Sequence, residues 1–259
     1  MEIIIRSSPE EAATTVADVV EPYVRRGNTV LGLATGSSPV AAYGELARRH
    51  REDGLDFASL STFLLDEYIG LPEGHPETYF AVIRRDFVDH VNLDPQRVHS
   101  PNGNSDDVFG EGARYDAAIR AAGGVDVQFL GIGTDGHLGF NEPTSSLSSR
   151  TRVKTLTDRT RKDNARFFDS EADVPRHVLT QGLGTILEAR HLVMVATGSA
   201  KASAIAKAVE GPLSAFCPAS VMQLHPHCTV VLDEAAAAEL TLTDYYKSVV
   251  ANKPPQQPW

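Results

Sequence analysis

Five short apolar runs alternate with stretches of helical periodicity along this chain, and that alternation limits its fold more than any other feature. "TVLGLATG" (29–36) is apolar without polar alternation, as a strand buried on both faces must be. Behind it, "SSPVAAYGELARRH" places Val40, Tyr43, Leu46 and Ala47 on one helical face, with Ser37 or Ser38 as N-cap and Pro39 in the first turn. "STFLLD" (61–66) reads as the next strand, and "ETYFAVIRRDFVDHV" as a helix with Phe80, Ile83, Phe87 and Val88 inward. A helix over about 111–121 precedes the strand in "VDVQFLGIG" (125–133). "HLVMVATGSAKASAIAKAVEG" (191–211) supplies a strand, a Gly-Ser turn and a helix stopped by Gly211 and Pro212. "CTVVLDEAAAAEL" (228–240) gives a last strand and a short helix.

Strands that alternate with helices of ten or more residues form βαβ units. The expected fold is therefore α/β: an open, mostly parallel, Rossmann-like sheet with helices on both faces. The pattern shows no linker and no repeat, so residues 1–259 are expected to form a single domain. The tract from about 144 to 180 is polar, Arg-rich and weakly periodic, which suits a lid or a subunit contact. The tail, 251–259, is expected to fray.

Composition excludes several function classes. A net charge of −10 offers no basic stripe for nucleic acid. No apolar run approaches the roughly 18 residues of a membrane helix, and the start of the chain is not built as a signal peptide. Two cysteines, Cys217 and Cys228, are too few for a disulfide framework. A cytoplasmic location and no membrane partner are the expectation. A small anion remains possible, since a few local donors hold a phosphate inside an acidic protein.

Ligands of open parallel sheets sit beyond the carboxyl ends of the strands, and the polar residues of this chain collect there. Gly36, Ser37 and Ser38 form a strand-to-helix turn whose free N–H groups and helix dipole suit phosphate, although an ordinary capped turn has the same look. "VATGSAKA" repeats the arrangement, with Lys201 placed to face an anion. Asp66 and Glu67 follow the second run, where they serve either as strand-end charges or as an acid–base pair. In "FLGIGTDGHLGFNEP" (129–143), residues two apart in extended chain share a side, so Asp135 can hold one nitrogen of His137 and free the other for proton transfer. A turn fixed by local hydrogen bonds is the plainer alternative. "LHPHC" offers His225, His227 and Cys228 to a metal but has no partner pair at helical spacing, so a metal is not expected.

At these residues the chain resembles the glucosamine-6-phosphate deaminase family. The matching segments are "LGLATGSSP", "LDEYIGLPEGHPETYF", "GIGTDGHLGFNEPTSSLSSRTRVKTLT", "NARFF" and "TGSAKA…AVEG…PASVMQLHPH", in family order from about 30 to 233. The resemblance implies conversion of glucosamine 6-phosphate and water to fructose 6-phosphate and ammonia. It implies that Asp66 moves the C2 proton to C1, that His137 opens the sugar ring, and that Asp135 and Glu142 orient and tune the histidine. Glu67 would be structural support. Phosphate would lie on Gly36, Ser37 and Ser38 with Arg166 and Lys201. The resemblance implies no organic cofactor either.

Some family members are hexamers activated by N-acetylglucosamine 6-phosphate, and Ser145, Ser146, Arg152, Lys154 and Thr155 match that activator site. A homo-oligomer is expected on this ground. The activator site's tyrosine corresponds to either Tyr245 or Tyr246. Gly139 stands where alanine is common in the family. Two rivals remain: 6-phosphogluconolactonase, which shares a GxDGH segment but should lack "DEYIGL" and "FNEP", and a sugar-phosphate sensor without turnover, which needs no paired Asp66 and His137.

Overall fold

The structure, a computed structural model, describes every residue except Pro255 and Pro258. Among the described residues, ten strands divide into two sheets. The larger holds β1 (Glu2–Arg6), β2 (Val30–Leu33), β3 (Ser61–Leu64), β5 (Val98–His99), β6 (Val127–Leu130), β9 (His191–Ala196) and β10 (Cys228–Asp233). All its strands are parallel, in the order β1-β10-β9-β6-β2-β3-β5. The smaller is antiparallel, with β8 (His177–Thr180) between β4 (Asp66–Tyr68) and β7 (Arg152–Thr155). The helices are α1 (Pro9–Arg26), α2 (Ser37–Asp53), α3 (Tyr79–Asp86), α4 (Val108–Ala121), α5 (Asp158–Asn164), α6 (Leu183–Ile186), α7 (Ala202–Val209) and α8 (Thr243–Ala251).

Local chemistry starts and stops these elements. In α1, Ser8 accepts from the Glu11 N–H, Pro9 occupies the first turn, and Gly27 ends the helix at φ 71°. The inner strands β2, β6, β9 and β10 are buried at every residue, because helices cover both of their faces. Tyr43, Phe87 and Phe129 stack in the core, with centroids 4.9 Å apart for the first pair and 5.2 Å for Tyr43 and Phe129.

Strand order explains where a pocket can open. From β1 through β2 and β3 to β5 the chain advances across the sheet; from β6 through β9 to β10 it returns. Right-handed crossovers then put α1, α2 and α3 on one face, where α1 packs on α2 and α2 on α3, and α4 and α7 on the other. The reversal falls between β2 and β6, so the loops after these two strands diverge and leave a crevice between them.

Several expectations are corrected. The run 61–66 is not one strand: Leu65 donates to the Leu33 carbonyl, and the chain then steps into the smaller sheet at Asp66. Gln181 stitches this step, its N–H on the Leu65 carbonyl (2.7 Å) and its Nε2 on that of Leu64 (3.0 Å). Neither Ser37 nor Ser38 is the N-cap of α2; Gly36 is, at φ 113°. The tract 144–180 carries β7, α5 and β8. Residues 234–239 turn instead of forming a helix, drawn in by the Asp233 carboxylate, which accepts from the Gly198 and Ala236 N–H groups. A helix not foreseen, α8, follows. In the tail expected to fray, Lys253 pairs with Glu2 at 2.7 Å and lies over the Trp259 ring, while Pro255 and Pro258 fall outside the described residues.

Replacing Phe129 by alanine leaves a void between α2 and β6, and should cost on the order of 3–5 kcal/mol in denaturant unfolding.

Candidate active site

The crevice at the strand reversal is a cavity of about 660 Å³, within the roughly 300–1,000 Å³ typical of small-ligand sites. Its walls come from the β2–α2 turn, the loop after β6, the smaller sheet with α5, helix α3 and the turn before α7.

At one end stands the start of α2. Gly36 caps it with no side-chain partner, and no acidic residue occupies the first turn, so the backbone N–H groups near Ser37 and Ser38 point free toward the cavity. The φ of 113° at Gly36 is the reason for glycine there. Lys201 reaches the same end from the short turn before α7, its Nζ 2.7 Å from the Ile132 carbonyl. Burial, with Arg166 nearby, lowers the Lys201 pKa. Arg166, in the turn after α5, also lines the cavity. All five expected phosphate residues thus line one cavity, with the two cations close enough to repel each other.

Asp66 lines the same cavity. It is 5% exposed, at the first position of β4, opposite Thr180. Burial is the main cause, and Glu67 the second, of a pKa raised to about 8, with His137 pulling it back. Glu67 points away and has a different task. Its carboxylate accepts from the N–H groups of Tyr68, Tyr79 and Phe80 at 2.8–3.0 Å and so caps the start of α3. Burial still raises the Glu67 pKa against these hydrogen bonds.

His137 lines the same cavity from a tight turn, near enough to Asp66 to favour its charged form. Gly136 donates to the Gly133 carbonyl, and Gly133 to that of His137. Asp135 Oδ1 accepts the His137 N–H at 3.2 Å and lies 2.8 Å from its Nδ1. That approach is oblique to the ring N–H, so Nδ1 is held by an ion pair more than by a directed hydrogen bond. Glu142 Oε2 stands 3.7 Å from the same nitrogen. Burial works against the imidazolium, but the two carboxylates outweigh it and raise the pKa to about 9; His137 in turn holds Asp135 well below the ordinary carboxylate range. The expected convergence of Asp135 and His137 is real, but a turn makes it, not an extended segment. Glycine is needed at Gly133, where a Cβ would lie 2.3 Å from the imidazole.

Asp135 and Glu142 sit behind His137 and do not line the cavity. Among the described residues they form with it the one acid–histidine cluster compact enough to consider for a metal. A protonated imidazole is a poor ligand, and this one is held protonated by both acids. His225 and His227 face backbone carbonyls of Ala189 and Trp259 instead of each other's ligand positions.

The tentative activator residues lie outside the cavity. Arg152 Nη1 donates to Asn141 Oδ1 at 2.8 Å, Ser145 is buried, and Lys154 and Thr155 follow along β7. Tyr246 donates to Glu210 at 3.1 Å, whereas Tyr245 is exposed. Sequence reading missed Asn141, fully buried and bonded to the Leu138 and Gln181 carbonyls, which sets the loop carrying Glu142. It also missed the wall of Tyr68, Tyr79 and Phe140. The "FNEP" string contained the first signal, but nothing local marks which of its polar residues turns inward.

A family model described as glucosamine-6-phosphate isomerases/6-phosphogluconolactonase matches residues 6–231. The chain belongs to this family. Proteins named glucosamine-6-phosphate deaminase from Rhodococcus opacus (strain B4) and Rhodococcus jostii (strain RHA1) are each 71% identical to it over 257 residues, 99% of either chain. One from Streptomyces coelicolor is 51% identical over 259 residues, with 99% of each chain covered. Among solved structures, a monomeric glucosamine-6-phosphate deaminase superposes with a TM-score of 0.90 at 39% identity, covering 92% of this chain and 100% of its own. A 6-phosphogluconolactonase from Trypanosoma cruzi reaches 0.72 at 18% identity, covering 93% and 97%, a likeness of fold alone.

The burial of Asp66 carries a stability cost. Asp66 in the folded protein keeps a proton up to about pH 8 that the unfolded chain releases near 3.8, so its contribution to stability falls as pH rises between those values. Asp66→Asn should therefore melt higher than the parent at pH 8, by on the order of 2 kcal/mol, with the gain vanishing toward pH 4 in thermal unfolding.

Proposed function

We propose that this chain converts glucosamine 6-phosphate and water to fructose 6-phosphate and ammonia. The observation that carries the reading is that Asp66 and His137 line one cavity together with the free start of α2, Lys201 and Arg166. The deaminases at 71% identity support it, as does the solved deaminase at 39%.

Each group has work that fits its surroundings. The phosphate docks on the α2 N–H groups, Lys201 and Arg166, which fixes the sugar's C6 end. The His137 imidazolium, its Nδ1 occupied by Asp135, donates from Nε2 to the ring oxygen and recovers a proton as the anomeric hydroxyl becomes an aldehyde. Asp66 then removes the C2 proton and returns it at C1. The C2 amine becomes an imine, water adds to that carbon, and ammonia leaves. In the empty pocket burial keeps Asp66 protonated at neutral pH. A C2 ammonium arriving beside it favours the ionised form, and the same burial that raised its pKa makes it a stronger base. Side chains and backbone donors suffice for every step, so we assign no cofactor or metal.

We also read Ser145, Ser146, Arg152, Lys154 and Thr155 as an activator site for N-acetylglucosamine 6-phosphate. The support is the Arg152–Asn141 bond, which ties β7 to the loop bearing Glu142. A homo-oligomer is the companion proposal, with the solved monomeric relative as the counter-example to weigh it against. We place the enzyme in the cytoplasm, where charge retains a sugar phosphate.

The test is release of ammonia and fructose 6-phosphate in equal amounts from glucosamine 6-phosphate, with and without the acetylated sugar. Hydrolysis of 6-phosphogluconolactone with no ammonia would overturn the reading. Asp66→Asn should lower kcat by about a thousandfold. Because Asp66 must be ionised and His137 protonated, kcat/KM should rise with pH through about 8 and fall through about 9.

A further inference from the structure

Helix α5 is bonded to three segments that carry the site, although it belongs to the Arg-rich tract. Before it, Thr157 caps its first turn, accepting from the Thr160 N–H at 3.2 Å. Within it, Arg159 donates to Thr134 Oγ1 at 2.9 Å, next to Asp135. Asn164 donates to the Tyr68 hydroxyl at 2.9 Å, in the strand that begins with Asp66. Arg166 at the phosphate end follows directly. Arg161 anchors the helix from behind, on the carbonyls of Glu171 and Val174.

The remaining contact bears on ring opening. Thr160, buried at 8% exposure, donates from Oγ1 to Glu142 Oε1 at 2.5 Å. Thr157 Oγ1 stands 2.9 Å from Thr160 Oγ1 and 3.4 Å from the same carboxylate oxygen. The other oxygen, Oε2, is the one that faces His137. Two hydroxyls on one oxygen fix the plane of the carboxylate, and that plane decides how its charge backs the imidazole.

We propose that Thr160 is a positioning residue for ring opening: through Glu142 it holds His137 in place, and it makes that hold depend on how α5 sits over the pocket. Phosphate captured by Arg166 and a correctly backed His137 then belong to one rigid piece. A sugar that lacks phosphate leaves α5 less firmly placed and is opened less well, which is selectivity exercised in turnover and not only in binding. The inference rests on the proposed deaminase activity.

The experiment compares the parent with Thr160→Val, which keeps the shape and removes the donor, and with Thr160→Ser, which restores the hydroxyl. Thr160→Val is expected to lose about tenfold or more in kcat while KM moves less than about twofold, and Thr160→Ser to recover most of the loss. With no substrate present, the His137 imidazole signal in NMR should titrate at lower pH in Thr160→Val, since Asp135 and Asp66 still face the ring but Glu142 is free to turn away. An unchanged kcat, a Thr160→Ser loss as large as that of Thr160→Val, a change confined to KM, or an unmoved or raised His137 titration would each overturn the proposal. If Thr160→Val does not fold, as judged by circular dichroism, Thr160→Ala is read by the same criteria. A parent that releases no ammonia contradicts the assigned activity, and the imidazole titration still decides the role of Thr160.

Discussion

The pocket depends on one topological constraint: strand order reverses between β2 and β6. Neighbouring crossovers that leave in opposite directions cannot fill the space between their first residues. One diverging loop becomes the start of α2, with its unpaired N–H groups; the other becomes the turn that carries His137. A third contribution needs a second device. The chain leaves β3 at Leu64, crosses in one residue to the smaller sheet, and delivers Asp66 to the cavity. The hydrogen bonds of Gln181 and Leu65 hold this step, so the backbone fixes where Asp66 stands.

Two adjacent carboxylates receive opposite treatment from the same strand. In β4 successive side chains face opposite ways. Glu67 turns to the N–H groups of α3 and becomes part of the scaffold, whereas Asp66 turns to the cavity, where burial and Glu67 both oppose its charge and only His137 favours it. His137 is treated in reverse: Asp135 and Glu142 outweigh its burial. Two titratable groups lining one cavity are thus pushed away from their ordinary values by different causes, burial for Asp66 and neighbouring carboxylates for His137, as acid–base work requires. The large apolar core behind the sheet offsets the cost of burying Asp66.

Much of this could be read in the residues. Uninterrupted apolar runs announced the inner strands because both their faces are covered, and the polar residues at their ends announced the pocket. The short second-sheet strands were hidden for a physical reason. "DEY", "RVKT" and "HVLT" are three or four residues long, and their stability comes from pairing with one another, which no local pattern records. Gly36 could not be told from Ser37 and Ser38 as the cap, since all three types suit that position. Thr160 lies in an Arg-rich tract whose weak periodicity singles out no residue. Its partner, Glu142, is 18 residues away, and only the fold brings them together.

The central claim is that Asp66 is the group that takes the C2 proton. The most direct measurement follows the C2 hydrogen of glucosamine 6-phosphate in deuterium oxide by proton NMR, with the parent protein and with Asp66→Asn at a concentration that saturates binding. The account predicts that the parent removes the C2 hydrogen and that the product carries the new hydrogen at C1, while Asp66→Asn binds the sugar and leaves C2 intact. Loss of the C2 hydrogen at an undiminished rate in Asp66→Asn would contradict it.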